Sequence, residues 1–150
     1  MSGSIKCILI LFGCHVMGAS ECKADDHDWT VITLTRNGSW GVATDSAQSQ
    51  AIAEAIRRCK EMAGPSNDCG AQFMAARGGW MVASLCGDHK LIASGSSLID
   101  AEREALNREI SLQLFYAPDL PPCKRIVTVD PTGAIVSSNQ QYSTARERGR

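Results

Sequence analysis

Aromatic residues are scarce in this chain, at 5% of 150 residues, so aliphatic and small side chains must fill whatever core its 44% hydrophobic content supports. An excess of either charge is lacking too. Fifteen Lys and Arg face sixteen Asp and Glu, a net charge of −1, and no block of like charge is long enough to mark a nucleic-acid or membrane surface. Gly-x-Ser-x-Gly does not occur, so the nucleophile elbow of the α/β-hydrolases is excluded. Neither does Cys-x-x-Cys, and the cysteine spacings fit neither a zinc site nor a thioredoxin-like motif. The apolar run Cys7–Met17, broken by Gly13 and His15, is shorter than the about 20 residues a spanning helix needs.

That run is instead read as part of an export leader. Lys6 supplies the positive end, and the small residues up to Ser20 or Ala24 offer cleavage sites. The expected organisation is a signal peptide over 1–24, a single domain over 25–138 and a disordered polar tail over 139–150. A buried N-terminal helix is the bland alternative. Leu11-Phe12-Gly13-Cys14 also resembles a lipoprotein processing box, which makes anchoring at Cys14 a minor reading. Of seven cysteines, Cys7, Cys14 and Cys22 leave with the leader. Cys59, Cys69, Cys86 and Cys123 remain, an even number that in an exported chain points to two disulfides. A secreted or periplasmic location follows from the same argument; four free thiols in a cytosolic protein are its opposite.

Along the chain, β-branched Trp29–Arg36 and Ser39–Thr44 flank Asn37-Gly38, which predicts a type I′ hairpin. Asp45 or Ser46 is placed to cap a helix, with Gln48 completing a capping box from Asp45. Ile52, Ala55, Ile56, Cys59 and Met62 recur at helical spacing, and Gly64-Pro65 ends the helix. Strands are expected over 71–76 and 80–85, with Arg77-Gly78-Gly79 as the turn between them. Gly87-Asp88 suits a type II′ turn into Leu91-Ile92-Ala93. Ser96 or Ser97 then caps a second helix, whose end alternates like a strand from Ile110 and suggests early termination. A strand from Cys123 to Val129 turns at Pro131-Thr132-Gly133, and 134–136 can pair back.

Shifting the chain by fifty residues lays Val42-Ala43-Thr44 on Ile92-Ala93-Ser94, and Ala51, Glu54, Ala55 and Arg58 on Ala101, Glu104, Ala105 and Arg108. Two hairpin–helix repeats are expected, about 29–78 and 79–136. The predicted class is α+β: one antiparallel sheet with both helices packed on one face.

The Ala-x-x-x-Ala-Ile-x-x-Cys ending of the first helix, the cysteine opening the next strand and the hairpin–helix duplication resemble the domain of unknown function 4189 family, small exported bacterial domains. The likeness covers Trp29 to about Asp130 and implies a fold and a compartment, with no general activity. The chain departs from that pattern at Val31-Ile32-Thr33 and at Glu109, where a second helix cysteine would fall. Cys59–Cys69 is the favoured first disulfide, joining the helix end to the following strand across a loop of about 10 residues worth about 2–3 kcal/mol. Cys86–Cys123 is then left. Cys69–Cys86 is the alternative, if a hairpin at 77–79 brings those ends together; sequence alone allows three connectivities.

Candidates for chemistry are few. Cys86 and His89 flank the Gly87-Asp88 turn and could form a thiol–imidazole dyad, although exported cysteines are usually bridged. Asp25-Asp26-His27-Asp28 could gather a cation, but terminal clusters lack fixed geometry. Glu102 and Glu109 read as a solvated helix face. Trp40 and Trp80 are expected in the core beneath the helices, with Val42 and Ile92. On the open face they would instead form, with His89, a candidate binding platform. The leading expectation is therefore an exported, disulfide-stabilised binding or interaction module of the cell envelope or extracellular space. It has no catalytic residue, metal or cofactor assigned, and its partner is an exported protein or an envelope glycan. A small exported hydrolase or thiol enzyme using Cys86/His89, and a structural envelope component, are the alternatives.

Overall fold

β-branched residues dominate Trp29–Leu34, and in the structure, a computed structural model describing residues 28–64 and 68–138, this stretch is strand β1. β2 (Trp40–Asp45) and helix α1 (Gln48–Ala63) follow, then β3 (Phe73–Arg77), β4 (Trp80–Cys86) and β5 (His89–Gly95). Helix α2 (Leu98–Phe115), β6 (Lys124–Val129) and β7 (Ile135–Ser138) complete the order. The expected leader over 1–24, the tail over 139–150 and most of the Asp25–Asp28 cluster lie outside the described residues. The class is α+β, and each hairpin leads into a helix as its sequence indicates.

The strands do not share one sheet. They form an antiparallel sheet of order β2-β1-β3 and a second of order β5-β4-β6-β7. The expectation of a single sheet with both helices on one face is corrected accordingly: the two sheets face each other, and each carries one helix on its outer side. Ile32, Leu34, Trp40 and Val42 of the first sheet pack against Met81, Ala83, Ile92 and Val127 of the second. Outside, Val31 and Ala43 meet Ala51 and Ala55 of α1, while Val82, Leu91 and Ala93 meet Ala101 and Ala105 of α2. The cause lies in β1, where Val31, Ile32 and Leu34 are all fully buried although neighbours point to opposite faces. A strand apolar on both sides needs a cover on both sides.

This arrangement also shifts the phase of the faces. Trp40, Val42 and Ile92 were expected under the helices and instead fill the space between the sheets. The helix-facing positions go to Gly41, Ala43 and Ala93, small residues that let a helix approach. Gly78 and Gly79, with φ of 63° and 93°, carry the chain from β3 into the other sheet. The turn expected at 77–79 is therefore a crossover, not a hairpin, and β3 and β4 are not paired.

Local details differ in three further places. Asn37 has no positive φ, and only Gly38 (φ 85°) does, so the first hairpin is not type I′. Thr35 and Ser39 instead bracket a three-residue loop whose last glycine is left-handed. The N-cap of α1 is Ala47, with no side-chain cap; Asp45 accepts from the Ala47 N–H instead of forming a capping box. Helix α2 runs unbroken to Phe115 rather than ending early. Its N-cap is Ser97, whose hydroxyl accepts from the Asp100 N–H. At the other predicted hairpin, Gly87 alone has positive φ and Cys86 pairs with His89, as a two-residue loop led by glycine requires.

The two hairpin–helix units repeat one device at an offset of fifty residues. Arg58 Nη1 donates to the Val42 carbonyl at 2.8 Å, and Arg108 Nη1 donates to the Ile92 carbonyl at 2.7 Å. Each arginine is also paired with a glutamate one turn earlier, Glu54 and Glu104, at 2.7 Å.

Candidate functional site

Cys59 is bonded to Cys69 and Cys86 to Cys123, with Cα separations of 5.9 and 4.1 Å. The first bridge ties α1 to the loop before β3; the second ties the end of β4 to the chain entering β6. Cys86 is fully buried, so the Cys86/His89 pair holds no free thiol in this state. His89 is exposed and, with Asp88 and Pro121, lines an open cleft of about 410 Å³. Trp40 is only 2% exposed, in the inter-sheet core. Trp80 is half-buried and packs instead with the α2 cluster. The two tryptophans lie on opposite faces of their sheets, and no platform joining them to His89 forms.

The two units diverge beneath their helices. In the first, Gly41 lies directly under α1: a Cβ there would stand 1.9 Å from the Ala55 carbonyl oxygen. Fifty residues on, the strand carries Leu91, under Ala105. With that side chain between strand and helix, a cavity of about 170 Å³ remains, lined by Ser84, Leu91, Glu102, Ala105, Glu109 and Arg125 among others. Glu102 and Glu109 stay partly solvated, as expected of a helix face, but each also holds a partner. Glu102 accepts from Arg125 Nη1 at 2.9 Å, and Glu109 accepts from the Cys123 N–H at 3.0 Å. Glu109 occupies the place of Cys59, and both hold the cysteine that precedes the third strand of their unit. Arg125 Nε is buried with no hydrogen-bond partner among the described residues, a local cost of about 1–3 kcal/mol.

The outer faces of the helices diverge further. Ile99, Leu106, Ile110 and Leu114 on α2 are 67%, 54%, 44% and 70% exposed. At 100° per residue the four fall within about 80° of arc, one stripe interrupted between Ile99 and Leu106 by the exposed Arg103. Phe115 and Tyr116 extend the exposed apolar surface at the end of the helix. The corresponding α1 positions are Ser49, Ile56 and Lys60, and Ile56 is half-buried against Gly70 of the disulfide-tethered loop. Charged side chains then dress α1, with Arg57 paired to Glu54 and Glu61. At the N-terminal end of the α2 stripe, Arg103 pairs with Asp100 at 3.0 Å. The hydroxyls of Ser96 and Ser97 hold the Asp100 carboxyl below the usual carboxylate range, helped by Arg103.

The stripe was missed in the sequence because α2 was matched to α1 through its alanines. The spacing 99, 106, 110, 114 is itself helical, and opposite Ala101 and Ala105 it leaves the large residues outward. Among the described residues no group of three or more His, Cys, Asp or Glu side chains could hold a metal ion. No helix among them is long and apolar enough to cross a membrane. No family model matches the chain, and no curated protein or solved structure matches it either.

Proposed function

We propose that this protein is a disulfide-braced interaction module, secreted or periplasmic, that docks the outward face of α2 on another exported protein. The observation that carries the reading is the apolar stripe Ile99–Leu106–Ile110–Leu114, on a helix whose counterpart in the other unit is dressed with charge. Exposed apolar patches of this kind mark protein contacts. The four stripe residues are aliphatic, which suits a protein surface, and Trp40 is buried between the sheets. The two disulfides support an oxidising compartment. Membership of the domain of unknown function 4189 family, by an ancestral duplication of the hairpin–helix unit, belongs to the same proposal. The paired Arg58–Val42 and Arg108–Ile92 bonds support the duplication. The thiol-enzyme alternative needs Cys86 free, and it is bonded to Cys123.

The test is cross-linking of the exported protein in its native extract, comparing wild type with Ile110→Glu/Leu114→Glu. The expected outcome is a defined cross-linked species that the double substitution removes and that Lys60→Glu on α1 leaves in place. Cross-linking indifferent to the α2 substitutions would overturn the reading.

A further inference from the structure

We propose that the cavity between α2 and its sheet is a binding site for a small zwitterion of amino-acid size, its carboxylate held by Ser84 and Arg125 and its ammonium by Glu109. The site is independent of whatever the outer stripe of α2 contacts. Its floor is one row across the sheet, in which Ser84 of β4 lies opposite Leu91 of β5 on one side and Arg125 of β6 on the other. Glu102, Leu106 and Glu109, at helical spacings of four and three, form the wall on α2. A bulge in β6 places the arginine there. Ala83 pairs with Val127 and Ser84 with Arg125, so Ile126 is the extra residue and packs into the inter-sheet core. Bulges re-aim side chains in this way beside functional sites.

The first unit uses the equivalent hydroxyl on its own chain. Thr33 pairs with Gly41 as Ser84 pairs with Leu91. The Thr33 hydroxyl donates to the Gln72 carbonyl at 2.8 Å and accepts from the Gly70 N–H at 3.0 Å. Ser84 is only 6% exposed, yet its hydroxyl has no hydrogen bond among the described residues. A buried polar group left in this way calls for a partner. Arg125 donates from Nη1 to Glu102, and its Nε has no partner among the described residues. Glu109 gives one carboxylate oxygen to the Cys123 N–H and keeps the other. Arg125 balances Glu102, whereas Glu109 has no cation paired with it among the described residues. The cavity thus combines unused donors at Ser84 and Arg125 with an uncompensated negative charge at Glu109. A carboxylate and an ammonium on one short molecule answer both. The volume of about 170 Å³ is many times the about 15 Å³ that one water needs, and well below the about 300 Å³ of the smallest drug-sized clefts. Leu106, 54% exposed, borders the cavity and leaves it open to solvent.

The experiment is a titration of the ¹⁵N-labelled protein, disulfides intact, with glycine, β-alanine and 4-aminobutyrate, followed by amide chemical shifts. At least one of the three should bind saturably, with a dissociation constant of about 1 mM or below, and move the amides of Ser84, Glu109, Cys123 and Arg125. Acetate and methylammonium, each carrying half of the zwitterion, should bind at least about tenfold more weakly. Ser84→Ala should weaken binding about fivefold. Glu109→Gln, which keeps an acceptor for the Cys123 N–H, should weaken it about tenfold. Lys60→Glu on α1 leaves it unchanged, and an otherwise unaltered amide spectrum verifies that each variant is folded. No saturable shift with any of the three zwitterions overturns the site and leaves a cavity filled by water. Binding indifferent to both Ser84→Ala and Glu109→Gln overturns its assignment to this cavity. Acetate binding as tightly as the zwitterions overturns the role given to Glu109.

Discussion

The β1–β2–α1 and β4–β5–α2 units share a scaffold and differ in what it is used for. Both hold their helix to the second strand of the hairpin by an arginine on a backbone carbonyl. Both secure the chain entering the next strand, through Cys59–Cys69 in one and through Glu109 and the Cys86–Cys123 bridge in the other. At Gly41 the first helix sits on the strand backbone itself. At Leu91 a side chain stands between strand and helix beside a polar cavity, while at Gly95 α2 comes down on its own strand, where a Cβ would stand 2.4 Å from the Ala101 nitrogen. The second unit carries the exposed apolar residues of α2 and the cavity beside Leu91.

The strongest way to break the comparison is to exchange its decisive residue. Gly41→Leu should prevent stable folding, because even a Cβ at 41 collides with the Ala55 carbonyl and the Cys59 nitrogen, both backbone atoms. Gly41→Ala alone should cost about 3 kcal/mol, the upper end of ordinary overpacking. Leu91→Ala should cost about 2–3 kcal/mol, as for a buried leucine next to existing space. Urea unfolding under non-reducing conditions measures all three. A Gly41→Ala protein as stable as wild type would mean that α1 does not rest on β2 as described.

Below the loss of folding expected of Gly41→Leu come the disulfides, comparable in size to Gly41→Ala. Chain-entropy arguments assign about 2.7 kcal/mol to a 10-residue loop and about 3.8 kcal/mol to a 37-residue one, the separations of Cys59–Cys69 and Cys86–Cys123. Paired alanine substitutions should therefore destabilise the second unit's bridge more, by about 1 kcal/mol in the midpoint-derived free energy. The opposite order would show that Glu109, not the bridge, secures the entry to β6. Glu109→Ala, which removes the acceptor for the Cys123 N–H, would then be the more damaging change.

How far the sequence spoke depended on whether a signal was local. Periodicity placed α1 and α2, Gly87 placed its turn, and the even cysteine count foresaw two bridges. The pairing Cys59–Cys69 with Cys86–Cys123 was favoured but open, because the alternative needed only that β3 and β4 form a hairpin. Gly78-Gly79 reads the same in a hairpin as in a crossover; which one it makes is decided by the second sheet needing to cover Ile32 and Leu34. The platform of Trp40 and Trp80 failed for the same reason: alternation tells which residues share a face, not which face lies inward. The α2 stripe was legible in principle, since Ile99, Leu106, Ile110 and Leu114 are at helical spacing. The alanines of the opposite face, matched to those of α1, drew the reading away from it.

A smaller effect sharpens the likeness of the units rather than their difference. Arg58→Met and Arg108→Met remove the same strand contact while keeping most of the apolar stem. Each should cost about 1 kcal/mol, the net worth of one hydrogen bond to a partly exposed charged group. Equal losses in urea unfolding would support the two bonds as one inherited device. A difference above about 1 kcal/mol would show that α2, over its cavity, depends on its arginine differently from α1 on the denser sheet.

The smallest predicted effect is a response to acid, and it falls on both units. Asp68 is held below the usual carboxylate range chiefly by the Lys90 ammonium at 2.6 Å, a contact that links the first unit's loop to the second unit's β5. Asp100 is lowered by Ser96 and Ser97, and Asp130 by Thr132 and the backbone of the β6–β7 turn. A carboxylate whose pKa is lower folded than unfolded adds stability that is complete above its unfolded value, near 3.8, and lost as the pH falls through the folded one. Stability should thus be flat from neutral pH to about 5 and decline below about 4. Asp68→Asn should shrink that decline more than Asp100→Asn, because Lys90 is only 10% exposed and is screened less than the solvent-facing Ser96–Asp100–Arg103 group. Urea midpoints at pH 3 and pH 6 measure the difference. Equal acid responses in the two variants would mean that the Asp68–Lys90 bridge between the units contributes no more than the surface cap of α2.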